Sequence, residues 1–175
     1  YNPDRTVPHD LIEQCAEAAR LAPSACNRQP WRFVVIDDQD LLQNIRETCR
    51  MPGIAHPWWD DVTVFVALCA EREFFTHKFA ASISGLPYWA LDVGIAGEHF
   101  VLAAEALGLA TCWVGWFKEK PLKRILNIPK ATRVLSLLTL GYPLDPPPEN
   151  RRPRLELGQI ITYNQAPARS LRDKE

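Results

Sequence analysis

The segment YWALDVGIAGEHFVLAAEAL, residues 88–107, constrains the fold more than any other stretch of the chain. Its apolar spacing reads as a single helix, stopped by Gly108. A helix on the surface of a domain carries a one-sided apolar stripe. Here the polar members Asp92, Glu98, His99 and Glu105 occupy a narrow arc, and the rest of the circumference is apolar. Gly94, Ala96, Gly97, Ala103 and Ala104 keep much of that surface small, so another backbone can approach closely. Such a helix needs cover on both sides. In a chain of 175 residues the second cover most easily comes from another subunit.

The remaining segments supply a sheet and its flanking helices. Leu11, Ile12, Cys15, Ala18, Ala19 and Ala22 form the apolar face of a helix that begins at Asp10, with Glu13 completing a variant capping box, and ends at Pro23. A strand is predicted over 32–37, then a helix over 39–49 capped by Asp38. After the loop MPGIAHPWW comes a second strand, 62–70, too apolar to alternate. Residues 72–87, with Phe74, Phe75 and Phe79, read as a mobile, partly apolar segment. ATCWVGWF (110–117) is the third predicted strand, KPLKRILNI a short helix, and RVLSLLTLGY (133–142) the fourth strand. Beyond Pro143 the chain turns Pro-rich and extended, and then reaches GQIITYN, a strand-like run. A strand at the end of a stiff arm has reason to pair with the sheet of a second chain.

Composition narrows the function classes. The formal net charge of −1 argues against a nucleic-acid or anionic-membrane partner, which would call for a clustered basic excess. No apolar run approaches the ~20 residues that span a bilayer, and YNPDRTVPHD has no apolar core of a signal peptide. The five cysteines (15, 26, 49, 69 and 112) are scattered, without a CxxC or CxH pair, and read as reduced thiols of a cytoplasmic protein rather than a disulfide framework or zinc site. The histidines at 9, 56, 77 and 99 lack metal spacing, and His99 reads as a hydrogen-bonded core or interface residue. Neither GxGxxG, GxxxxGK[ST] nor GxSxG occurs, and Ser136 in VLSLL reads as buried strand. Six Trp in this length imply that some line a site or an interface.

Three constellations carry chemistry. In LAPSACNRQPWRFVVIDD (21–38), Ser24, Asn27, Arg28 and Gln29 lie between a helix end and a strand start, where side chains reach a ligand edge or satisfy a turn. In TCWVGWF, Gly115 weakens an apolar strand, either for a β-bulge or because a flat cofactor must approach its backbone. Arg151, Arg152 and Arg154 form either a phosphate clamp or a solvated run.

Together these segments resemble the flavin-dependent nitroreductase family. ARLAPSACNRQPWRFVVI is similar to that family's A-R-x-A-P-S-x-x-N-x-Q-P-W-x-F segment, and LDVGIAGEHFVLAAEALGLATCWVGWF to its interface helix, turn and strand. LLTLGYP and the Pro-rich, Arg-bearing tail resemble its C-terminal arm. The resemblance implies an α+β sandwich: a mixed, mostly antiparallel sheet flanked by helices, in an intertwined homodimer with C-terminal strand exchange. Residues 1–165 form one domain on this reading, with 144–165 as an arm onto the partner and 166–175 a flexible tail. It further implies FMN in the dimer interface, with Pro23, Ser24, Asn27 and Gln29 at the flavin and ribityl chain. Trp113, Val114 and Gly115 lie along the ring, the Gly115 N–H directed toward N5, and Arg152 and Arg154 meet the phosphate. The family usually opens with Arg-Arg-Ser-x-Arg just before the YNPDRTVP equivalent; this chain starts at Tyr1, and a missing preceding segment is the expectation.

The activity so implied is ping-pong reduction of nitroaromatic, quinone or similar flat acceptors by NAD(P)H, with no obligatory acid or base among the side chains. Arg28 is a candidate for the positive charge near N1/O2. Residues 52–59 and 72–89, with Trp58, Trp59, Phe74, Phe75, Tyr88 and Trp89, are expected to set the acceptor. Two alternatives stay open: a non-catalytic flavin-binding or regulatory dimer, and a specialised member of flavin-fragmenting or reductive dehalogenase type.

Overall fold

The structure is a computed structural model that describes residues 1–71, 85–144 and 153–165. It divides into two units, Tyr1–Asp145 and Pro146–Glu175.

In the first unit, α1 spans His9–Arg20. It starts one residue earlier than expected, with Pro8 rather than Asp10 as the N-cap and no side-chain cap bond. The Pro8 carbonyl itself accepts from Leu11 and Ile12 N–H, so the carboxylate falls inside the first turn, where it still complements the helix dipole. A 3-10 turn, Ala25–Asn27, leads to β1, Trp31–Ile36. Asp38 caps α2 (Gln39–Thr48) as expected, its Oδ1 accepting from Leu41 N–H at 2.9 Å. A second 3-10 turn, Trp59–Asp61, precedes β2, Val64–Ala70.

The long helix α3 spans Tyr88–Ala106. Gly108 terminates it with φ 75°, and Leu109 N–H returns to the Ala104 carbonyl at 2.9 Å. β3 is Ala110–Val114, α4 is Glu119–Ile125 and β4 is Arg133–Gly141. β3 is shorter than the expected 110–117, because the chain leaves the ladder at Gly115 and only Phe117 makes an isolated bridge, to Arg50.

The four described strands are antiparallel throughout, in the order β1-β2-β4-β3. β2 and β4 are therefore central. Every residue of β2 is buried, which explains why its sequence does not alternate. Two cores nevertheless divide its side chains with period two. Val64, Val66, Leu68 and Ala70 pack with α1 and α3 residues such as Ile12, Cys15, Ala96 and Phe100. Phe65, Ala67 and Cys69 pack with α2 and α4 residues such as Leu42, Ile45 and Leu122. Ser136 is buried in β4, as expected, and donates to the Val114 carbonyl at 2.9 Å. Tyr1 is anchored as well: its hydroxyl bonds Thr139 Oγ1 and its ring meets Trp58 edge-on.

The five cysteines are free, with Cys15, Cys49 and Cys69 in the cores. No group of three His, Cys, Asp or Glu side chains that could hold a metal occurs among the described residues, and none of their helices is long and apolar enough to cross a membrane.

In the second unit the predicted strand over GQIITYN is corrected. Leu157–Ile160 form a helical turn, α5, and Ile161 is extended. Glu156 and Gln159 make a reciprocal capping box, Gln159 Oε1 accepting from Glu156 N–H at 3.0 Å. Local side-chain bonds thus satisfy the backbone of a segment that pairs with no strand among the described residues. Every described residue of this unit is exposed, including Leu155, Leu157, Ile160, Ile161 and Tyr163.

Candidate functional site

Antiparallel pairing brings two of the sequence-predicted groups, Pro23–Gln29 and Trp113–Gly115, toward one end of the sheet. Trp31 pairs with Ala70, Ala70 with Arg133, and Val114 lies opposite Leu137, so β1 begins and β3 ends toward the same side. The loop Pro23–Gln29 precedes β1 and Gly115 follows β3. These two strands are opposite edges of the sheet, three strand spacings or about 14 Å apart.

The first group is a tightly wound loop. Cys26 (φ 51°), Asn27 (φ 54°) and Gln29 (φ 49°) all adopt the left-handed conformation without being glycine. That costs ordinary L-residues about 1–2 kcal/mol each, less for Asn. A local network offsets the strain. Ser24 Oγ accepts from Gln29 N–H at 3.0 Å, and the Gln29 side-chain amide donates to the Asn27 carbonyl at 3.2 Å and to Asn27 Oδ1 at 3.1 Å. Arg32 Nη1 holds the Gln29 carbonyl at 3.2 Å while Arg32 Nη2 pairs with Glu71 at 2.8 Å. Cys26 to Gln29 are exposed, as is Pro23, whereas Ser24 is half-buried.

The loop also has an anchor that local sequence reading missed. Asp92 of α3 is only 2% exposed, and its Oδ1 accepts from Ala25 N–H at 3.1 Å. Its Oδ2 is buried without a hydrogen-bond partner among the described residues. The only signal in the sequence was an acidic residue early in a helix of small and apolar residues.

The second group leans on the same helix. The Trp113 indole packs on Gly97, and its Nε1–H donates to Glu98 at 3.2 Å. A Cβ at Gly97 would overlap the tip of the Trp113 ring and lie 2.6 Å from Leu68 Cδ2. Trp113 remains 39% exposed, and the Val114 side chain is buried in the α2/α4 core, so Val114 offers only its backbone to a ligand. Gly115 lies beyond the strand, outside any bulge, and a Cβ there would meet nothing within 4 Å. Among the described strands the register irregularity sits elsewhere, between Leu68 and Cys69. Trp116, next to Gly115 in the chain, is 70% exposed.

The other candidates divide. Arg154 lies in the second unit, exposed, with Nη1 near the Pro153 carbonyl. Arg151, Arg152, Phe74, Phe75 and Phe79 lie outside the described residues. Trp59 is corrected as an acceptor-contacting residue: it is fully buried against Phe65 and donates its Nε1–H to the Arg46 carbonyl at 3.3 Å. Trp58 and Trp89 are half-buried. His99 is hydrogen-bonded as expected, its Nδ1 2.9 Å from the Ile95 carbonyl, and is half-buried.

An antiparallel α+β sandwich with a polar, strained loop at one sheet end and a glycine-opened backbone at the opposite edge defines the class. The comparisons agree with it: the family model for the nitroreductase family matches residues 1–142. The chain belongs to the nitroreductase family. It is 34% identical over 148 residues to an Archaeoglobus fulgidus protein provisionally named NADH dehydrogenase/NAD(P)H nitroreductase, covering 81% of this chain and 78% of the relative. It is 30% identical over 166 residues to the iodotyrosine deiodinase of Thermotoga neapolitana, covering 89% and 86%. Among solved structures, a nitroreductase family protein from Clostridium novyi NT superimposes with a TM-score of 0.71 at 28% identity, covering 81% of this chain and 76% of the other.

Proposed function

We propose that the protein is an FMN-dependent oxidoreductase that takes electrons from NAD(P)H and passes them to a flat organic acceptor such as a nitroaromatic or quinone, with FMN held between the two chains of a homodimer. The observation that carries this reading is the Ser24–Gln29 loop. Its strain is maintained by bonds within the loop and to α3, while its outer side chains stay open to a ligand. The residues fit the cofactor. Ser24, Asn27 and Gln29 offer hydroxyl and amide groups for a polyol and a ring edge, Gly115 offers an unshielded peptide, and Trp113 and Trp116 offer aromatic surface. Arg154, and Arg152 before it, would pair with a phosphate.

When bound, FMN supplies the two-electron chemistry. The chain's own work is to bind, orient and desolvate. Family relatives named for NAD(P)H-dependent reduction support the donor, among them a Bacillus subtilis FMN reductase [NAD(P)H], 29% identical, of which this chain covers 64%. A dimer is supported by the apolar side chains left uncovered: Leu91 and Leu102 on α3, and Leu155, Leu157, Ile160 and Ile161 in the second unit. The second unit, on this reading, is the arm that reaches a partner.

The test is a visible spectrum of purified protein after FMN soaking, sizing in solution, and NAD(P)H oxidation with nitroaromatic and quinone acceptors. Flavin bands in a dimer that turns over support the proposal. A monomer that takes up no FMN overturns it. The deiodinase relative gives a second reading, reductive dehalogenation, which halide release from a halophenol under reducing conditions would reveal.

A further inference from the structure

Resting on the flavin-binding reading above, we propose that Asp92 is a positioning residue for the cofactor: its buried carboxylate holds the loop Ser24–Gln29 in the shape that presents Ser24, Asn27 and Gln29. Three observations converge. Asp92 belongs to α3, the helix that also carries Gly97 and Glu98 against Trp113 five and six residues later, so one rigid element references both site groups. Its Oδ1 accepts Ala25 N–H at 3.1 Å, the first peptide of the 3-10 turn, immediately before the left-handed Cys26 and Asn27. The residue is 2% exposed, and its Oδ2 has no hydrogen-bond partner among the described residues.

A carboxylate is suited to this task. A charge-assisted bond is shorter and stronger than a neutral one and holds a peptide that would otherwise relax out of a strained turn. Ser24 enters that turn extended, at φ −144° and ψ 156°, so the bond to Ala25 marks the point where the backbone changes direction.

FMN affinity, read by quenching of flavin fluorescence, tests the assignment on the full chain. Asp92→Ala is expected to weaken FMN binding about tenfold or more, the loss of one charge-assisted bond, while the melting temperature of the free protein holds. Asp92→Asn keeps an acceptor oxygen and is expected to restore affinity to within about threefold of the parent. Hydrogen exchange over residues 24–29 of the free protein is expected to quicken in Asp92→Ala and not in Asp92→Asn. Affinity in a folded Asp92→Ala within about twofold of the parent would overturn the inference, as would an Asp92→Asn variant no tighter than Asp92→Ala. Should Asp92→Ala not fold, Ala25→Pro removes the same bond from the loop side, and unchanged affinity there overturns it equally. A parent protein that binds no FMN instead overturns the functional reading on which the inference rests.

Discussion

Gly97 lies directly beneath the indole of Trp113, with no room for even one added carbon: a Cβ there would be 2.9 Å from Trp113 Cζ2 and 2.6 Å from Leu68 Cδ2. Replacing glycine by alanine in a helix interior ordinarily gains about 0.5–1 kcal/mol. Here overpacking, about 1–3 kcal/mol, outweighs that gain. Gly97→Ala is therefore expected to destabilise the protein in urea unfolding and to shift the Trp113 fluorescence by breaking its bond to Glu98. Gly94→Ala, where a Cβ meets nothing within 4 Å among the described residues, serves as the contrast, with no loss expected for the single chain.

Asp38 caps α2 through a single bond to Leu41 N–H. Asp38→Ala is expected to lower stability by about 1 kcal/mol, measured as a fall in the denaturation midpoint with unchanged slope. Asp10→Ala, which removes no cap, is expected to cost less, by the loss of a first-turn charge alone.

The cysteines should separate by environment. Burial pushes the Cys15 and Cys49 thiols up and Cys69 to about 11, whereas Cys26 is exposed in the strained loop. In the native protein at neutral pH, a thiol-specific reagent is expected to modify Cys26 first and to leave Cys15, Cys49 and Cys69 unreacted, as mass spectrometry of tryptic peptides would show. All five react once the chain is unfolded in urea.

His9 and Asp37 form an exposed pair at 2.6 Å, and the Asp37 bond and charge raise the His9 pKa above its ordinary 6.5. A raised histidine contributes stability in full below its unfolded pKa, and the contribution is lost as pH rises through the folded one. NMR titration of His9 is expected to give a higher midpoint in the parent than in Asp37→Asn.

Much of this architecture was legible in the order of residues, and the exceptions have physical causes. β2, β4 and α3 announced themselves through long apolar runs, while Gly108 marked the end of α3 and Asp38 the start of α2 by local backbone chemistry. Phe117 extended the third strand on paper, because its apolarity belongs to packing against the α2/α4 core rather than to the ladder. The run Ile160-Ile161-Thr162-Tyr163 reads as strand from its β-branched content, yet Glu156 and Gln159 close a local cap on the helical turn Leu157–Ile160. In the site, Ser24, Asn27 and Gln29 were visible as polar groups between helix and strand. The bond from Asp92 to Ala25 joins residues 67 positions apart, and no local spacing encodes it.

The division of β2 between two cores bears on which length changes the chain can tolerate. Sliding that strand by a single position would thrust the Phe65 ring into the layer shaped for Val64 and Val66 and empty the slot it fills beside Trp59. Insertions or deletions within Val64–Ala70 are thus barred from both sides at once, and variation in length is confined to the connecting segments.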